Sequence, residues 1–132
     1  MDGNFKLTNA ERAIMECLWD SEHGLTFKDL IDRMSEKFDK VWKKQTLSTY
    51  INSLQKAGLI RTDSWRRPYT YHAVSTKDDF LHSQSTKLVE EEYDNSLRNF
   101  IASFVGDQKL SIDEVQELKD LIDQLCQDSS GF

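Results

Sequence analysis

Side chains that exchange hydrogen bonds recur at helical spacing in the middle of this chain. In the segment KQTLSTYINSLQKAGLI, Gln45, Ser48, Thr49, Asn52 and Lys56 fall on one side, and Leu47, Tyr50, Ile51 and Leu54 on the other. Amide, hydroxyl and ammonium groups at successive turns of one face suit the edges of base pairs, each of which presents its own pattern of donors and acceptors. Gly58 supplies the permissive backbone that ends such a helix. Two strand-like runs follow at 59–62 and 69–74, with Asp63, Ser64 and Pro68 as turn formers and Trp65, Arg66 and Arg67 at the tip. This is the grammar of a groove-entering helix with a cationic wing. An amphipathic helix followed by a hairpin is also ordinary core architecture, so the pattern alone leaves both readings open.

Other chemistries find little support. His23, His72 and His82 lie on three different expected elements without metal or triad spacing. The carboxylates at 90–92 and at Asp113 and Glu114 suit solvated helix faces and helix N-termini better than acid–base pairs. The five glycines are scattered, so no phosphate-cradling loop is formed. Cys17 and Cys126 make no CxxC pair, which predicts reduced thiols and no metal site. The expectation is a protein that is not an enzyme and carries no cofactor.

The elements that must position these residues read as three helices and a hairpin. The first helix opens at Thr8, with Glu11 completing a capping box, and runs through Ile14, Met15, Leu18 and Trp19 to His23 and Gly24. The second opens at Thr26 with Asp29 and runs to about Phe38. After a short connection, in which Trp42 is expected to pack on the preceding helices, comes the reading helix. The fold class is thus mainly α. A winged helix-turn-helix occupies 1–75, and a helical dimerisation region occupies 76–132.

In that second region only helical periodicity continues. Thr76 with Asp79 marks one start, Gly106 and Asp107 a break, and Ser111 with Glu114 a further capping box. These helices are too few to bury their own apolar faces as a separate domain, and Leu88, Leu97, Phe100, Ile101, Phe104, Val115, Leu118, Ile122 and Leu125 are expected to meet a second copy. A homodimer would also set two reading helices on a palindromic site. Folding back onto the first domain is the other way to cover them.

Charge divides at the same place. The whole chain carries −6, but residues 1–74 have 12 Lys and Arg against 10 Asp and Glu, or +2, and residues 75–132 have 5 against 13, or −8. Screening confines phosphate attraction to about 10 Å, so a basic face operates beside a distant acidic segment. Lys40, Lys43, Lys44, Lys56, Arg61, Arg66 and Arg67 concentrate around the helix and wing. The expected DNA-contacting set is Lys43, Lys44, Gln45, Thr46, Ser48, Thr49, Asn52, Lys56, Arg66 and Arg67. No apolar run reaches membrane-spanning length, and no signal-peptide core is present, which predicts a soluble cytoplasmic protein.

The sequence LTNAERAIMECLW, the helix at 26–38, VWKKQTLSTYINSLQKAGLI, YTYHAV and FVGDQKLSIDEVQELKDLI together resemble the penicillinase repressor family, from about Leu7 to about Leu125. That family includes methicillin-resistance repressors and copper-responsive repressors. The resemblance implies a dimeric winged-helix repressor on double-stranded operators of dyad symmetry, built from TACA and TGTA half-sites, that blocks resistance or transport genes. It places the reading helix at 45–56, with serines at 48 and 53 where resistance repressors have basic residues. Copper-responsive relatives carry paired Cys-x-Cys motifs, whereas Cys126 stands alone in LCQDSSGF. Resistance repressors are released by proteolysis at an Asn-Phe bond, with a sensor protease as partner. The matching bond here is Ser103–Phe104, and the serine departs from that pattern. The alternative is a winged-helix module that binds protein, without sequence-specific DNA binding.

Overall fold

The computed structural model describes residues 6–130, without the side chains of 127–130. The chain is mostly helical, with one small antiparallel sheet. In order the elements are α1 (Asn9–Trp19), β1 (Leu25–Thr26), α2 (Phe27–Phe38), α3 (Lys44–Lys56), β2 (Ile60–Asp63), β3 (Thr70–Ala73), α4 (Lys77–Glu92), α5 (Leu97–Val105) and α6 (Ile112–Ser130). They divide into two compact units, Met1–Leu88 and Val89–Phe132, with the division inside α4.

Local chemistry starts and stops the helices of the first unit. The capping box expected at Thr8 and Glu11 forms. Thr8 Oγ1 accepts from Glu11 N at 3.2 Å while Glu11 Oε1 accepts from Thr8 N at 2.9 Å, and Thr26 and Asp29 make the same exchange. Helix α3 ends as the glycine predicts. Gly58 sits at φ +81°, its N–H reaching Gln55 O at 3.0 Å and the Leu59 N–H reaching Leu54 O at 2.9 Å. That pair of bonds satisfies the last carbonyls of the helix.

Strand order is β1-β3-β2, with Ile60 opposite Ala73, Thr62 opposite Tyr71, and Leu25 opposite Tyr71 on the other side. The sequence reading has only the hairpin; β1 is a third strand of two residues. Gly24, just before it, lies at φ +84°, and a Cβ there would overlap the His72 ring. The backbone thus needs glycine both for its conformation and for the closeness of β3.

Three helices and the sheet enclose one core. Ile14, Met15, Cys17, Leu30, Met34, Leu47 and Leu54 are almost wholly removed from solvent, and Trp19, Ile31, Trp42, Tyr50 and Tyr71 pack around them. Trp42 packs against this core. It is half-buried, and its ring lies 5.1 Å from that of Tyr50 on α3, so it braces the helix that follows it. Phe80 of α4 closes the unit against Trp19 at 5.2 Å, and Trp19 Nε1 donates to Ser75 O at 3.1 Å.

The second unit is held differently. Asp94 and Asn95 turn the chain through left-handed conformations, which short polar side chains tolerate. Ser96 then caps α5. Tyr93 meets the Phe100 ring edge-on at 5.5 Å, and its hydroxyl lies 3.0 Å from Ser103 Oγ. Ser111 and Glu114 form the other expected capping box, at the start of α6. No residue of α5 is fully buried.

Candidate nucleic-acid interface

Burial divides α3 into two faces. Leu47, Ile51 and Leu54 are buried against α1 and α2, while Gln45, Thr49, Asn52 and Lys56 are exposed. Their spacing of four, three and four keeps them in one outward stripe along the helix. Thr49 Oγ1 donates to Gln45 O at 3.0 Å. Thr46 and Ser48 are half-buried at the edge of the stripe. Lys43, which caps α3 without a side-chain hydrogen bond, and Lys44 beside it are exposed at the helix start.

Ser53 does not belong to that stripe. Its hydroxyl donates to Glu11 Oε2 at 3.3 Å, and Glu11, only 6% exposed, also accepts from the Thr8 backbone. This buried carboxylate therefore joins α1 to α3. A basic residue at position 53 of this fold would face α1, so of the two serines only Ser48 lies at the edge of the exposed stripe.

The hairpin is fastened to the same helix. Gln55 Nε2 donates to Thr62 Oγ1 of β2, which fixes the hairpin against α3. Asp63 is engaged twice, by Arg61 at 2.5 Å and by His72 at 3.1 Å. From Lys40 to Lys77 it is the only Asp or Glu in the sequence, against eight Lys and Arg. The tip cations stack on aromatic rings: Arg66 lies 4.6 Å from the Trp65 centroid and Arg67 lies 5.6 Å from that of Tyr69.

Between these elements runs a cleft of about 1050 Å³, walled by Phe27, Ile31, Pro68, Tyr69 and Tyr71, with Lys44 and Arg67 at its edge. A smaller cleft of about 360 Å³ joins Ser48 and Asn52 of α3 to Thr62 and Ser64 of the hairpin. The two clefts thus join Lys44 of α3 with Arg67 of the hairpin, and Ser48 and Asn52 of α3 with Thr62 and Ser64. Sequence periodicity finds the stripe, but the cleft that Lys44 and Arg67 both line depends on long-range pairing that periodicity does not encode.

The remaining candidates stand apart. His23 is fully outward beside Glu22, and His72 is half-buried in the sheet. No group of three or more His, Cys, Asp or Glu suited to a metal occurs among the described residues. Burial pushes the Cys17 thiol above its ordinary range, as suits a core residue, and Cys126 is exposed. Of the residues expected to meet a second copy, Phe100, Ile101 and Val115 are half-buried, and Leu88, Leu97, Phe104, Leu118, Ile122 and Leu125 are exposed. No described helix is long and apolar enough to cross a membrane.

Comparison with known proteins bears on this surface. The family model described as penicillinase repressor matches residues 7–124. The methicillin resistance regulatory protein MecI of Staphylococcus aureus strain N315 is 22% identical over 120 residues, covering 91% of this chain and 95% of the relative. The penicillinase repressor of Bacillus licheniformis is 20% identical over 119 residues, covering 90% and 91%. An uncharacterised 16.5 kDa protein of Latilactobacillus sakei is 25% identical over 117 residues, covering 89% and 78%.

Proposed function

We infer the function from one premise: the chain belongs to the penicillinase repressor family, and it is a transcriptional repressor. In our reading the first unit is a winged helix-turn-helix. Helix α3 enters the major groove, the β2–β3 hairpin is the wing, and the C-terminal helices join two copies over a dyad operator of a resistance or transport gene. The observation that carries this is the outward stripe Gln45, Thr49, Asn52 and Lys56 on a helix without a single acid. Amides and hydroxyls read base edges, while Lys43, Lys44 and Arg67 supply the phosphate attraction that sets register.

The test is fluorescence anisotropy on a duplex with TACA and TGTA half-sites, beside a scrambled duplex, across a salt series. Tight binding to the dyad that falls steeply with salt supports the repressor reading. Equal, weak and salt-insensitive binding supports the protein-interaction reading instead. Replacing Arg66 and Arg67 together by alanine should weaken binding to every sequence and lower the salt slope by about 1 to 2.

Release by proteolysis is part of the proposal. Ser103 and Phe104 lie in the last turn of α5, just before Gly106, and Phe104 is 79% exposed. Helix ends open more readily than helix centres, which gives a protease its extended substrate. Fragment sequencing from induced cells decides the point, since an intact chain under full induction sinks cleavage at this bond.

A further inference from the structure

The cleft of about 1050 Å³ walled by Phe27, Ile31, Pro68, Tyr69 and Tyr71 is poorly matched to the DNA backbone. Phosphates seek N–H and O–H donors, which rings and aliphatic chains lack. Phe27, Ile31 and Tyr71 are only half-buried, so these walls forgo a burial gain that a flat apolar guest would recover. The space is roomy enough for a small organic ligand. Charge then selects among such guests. Lys28, one of the lining cations, is taken by Asp32 at 3.0 Å, and that pair is neutral. Lys44 and Arg67 pair with no acid among the described residues, Asp63 being held by Arg61 and His72. The cleft therefore keeps two uncompensated positive charges. Arg67, stacked 5.6 Å from the Tyr69 centroid, offers a planar fork that donates two parallel hydrogen bonds to a carboxylate. Burial first, and then the neighbouring Tyr69, raises the Tyr71 phenol above its ordinary range, so it stays a hydroxyl donor at neutral pH.

We propose that this cleft binds a small aromatic carboxylate, its ring against Phe27, Ile31 and Tyr71 and its carboxylate on Lys44 and Arg67, and that the bound acid releases the repressor from DNA. Binding depends on the cleft alone, and only release rests on the operator reading above. In that reading Lys44 and Arg67 supply attraction to phosphates, so an acid that neutralises them competes with the DNA backbone. The competition is blind to base sequence, because phosphate contacts carry none. A neutral ring of the same shape fills the walls but leaves both cations to the DNA. An anion without a ring gains nothing from the walls.

The experiment titrates the full chain in a calorimeter with 2-naphthoate, with its neutral counterpart 2-naphthamide, and with acetate. The naphthoate should bind about tenfold more tightly than the amide, the scale of one hydrogen bond to a charged group. Acetate should not bind measurably. Lys44→Gln and Arg67→Gln change exposed side chains and should melt with the wild type. Each should bring the naphthoate down toward the amide and leave the amide's own affinity unchanged. In fluorescence anisotropy at matched ionic strength, saturating naphthoate should weaken wild-type binding to the dyad duplex about tenfold, and the amide should not. Equal affinity for naphthoate and amide, or none for either, in a chain that still selects the dyad overturns this inference alone. A naphthoate preference that survives both glutamine variants overturns the placement in this cleft. Naphthoate that binds without weakening the DNA complex overturns the release step. A chain that takes up naphthoate through Lys44 and Arg67 yet does not tell dyad from scrambled duplex overturns the operator reading and leaves the carboxylate site in place.

Discussion

Every fully buried apolar side chain among the described residues, from Ala13 to Phe80, lies in the first unit, whereas the second leaves Leu97, Phe104, Ile112 and Leu125 more than half exposed. The two units have comparable helices but different closure. In the first, α1, α2 and α3 surround a common centre and the sheet covers one side, so the outward stripe of α3 stands on a rigid support. In the second, Val115, Leu118, Ile122 and Leu125 follow one another at spacings of three and four, the interval of a helix–helix seam. The surface proposed to read DNA is therefore folded within one chain, whereas the apolar positions Leu118, Ile122 and Leu125 of α6 stay exposed there.

That difference predicts opposite responses to the same kind of truncation. Leu47→Ala removes a side chain that is 0% exposed at the centre of the first unit and should cost about 2 to 5 kcal/mol in urea denaturation, with operator binding lost as α3 loosens. A cost below about 1 kcal/mol would mean that the first unit is not the rigid support described. Asn52→Ala should leave the melt unchanged, since the side chain is exposed. It should instead lower discrimination at one base pair by about 1 to 3 kcal/mol, measured with a panel of single-substitution duplexes. Ile122→Ala, at a residue 51% exposed in the single chain, should barely alter a dilute monomer. It should weaken self-association about tenfold by analytical ultracentrifugation, an effect of roughly 1.4 kcal/mol. A dimer unchanged in both Leu118→Ala and Ile122→Ala would erase the contrast between the units.

Much of the fold is legible because its signals are local. The capping pairs Thr8 with Glu11, Thr26 with Asp29, and Ser111 with Glu114 each span four residues, and each appears as written. The buried face of α3 follows from period alone. What escapes the sequence depends on distant partners. Thr26 caps α2 and also pairs with Thr70 in the sheet, and two residues carry too little pattern to announce a strand. Ser53 looks like part of a reading surface until Glu11, in another helix, claims its hydroxyl. Trp42 offers a large ring with no periodic signal to say which helix receives it. The same holds for the candidate site, where the α3 stripe is legible and the cleft between Lys44 and Arg67 is not.

The smallest expected effect tests where the first unit ends. Glu16 of α1 receives Arg12 Nε at 2.9 Å and, from the first turn of α4, Lys77 Nζ at 3.1 Å. Partial burial pushes its carboxyl up, but the hydrogen bonds and charges of Arg12 and Lys77 outweigh it and hold the group below the usual carboxylate range. A carboxyl depressed on folding stabilises the folded state in full above its unfolded value, and that contribution is lost as pH falls through the folded one. Because the carboxylate side chain is a quarter exposed and Lys77 more so, the loss in Glu16→Gln at neutral pH should stay under about 1 kcal/mol. Wild type and variant should then converge in acid, where the wild-type carboxyl is itself neutral. A gap that stays constant as pH falls would show that residue 16 holds α4 to α1 by packing and not by charge, leaving Trp19, through Ser75 and Phe80, as the tie that closes the first unit.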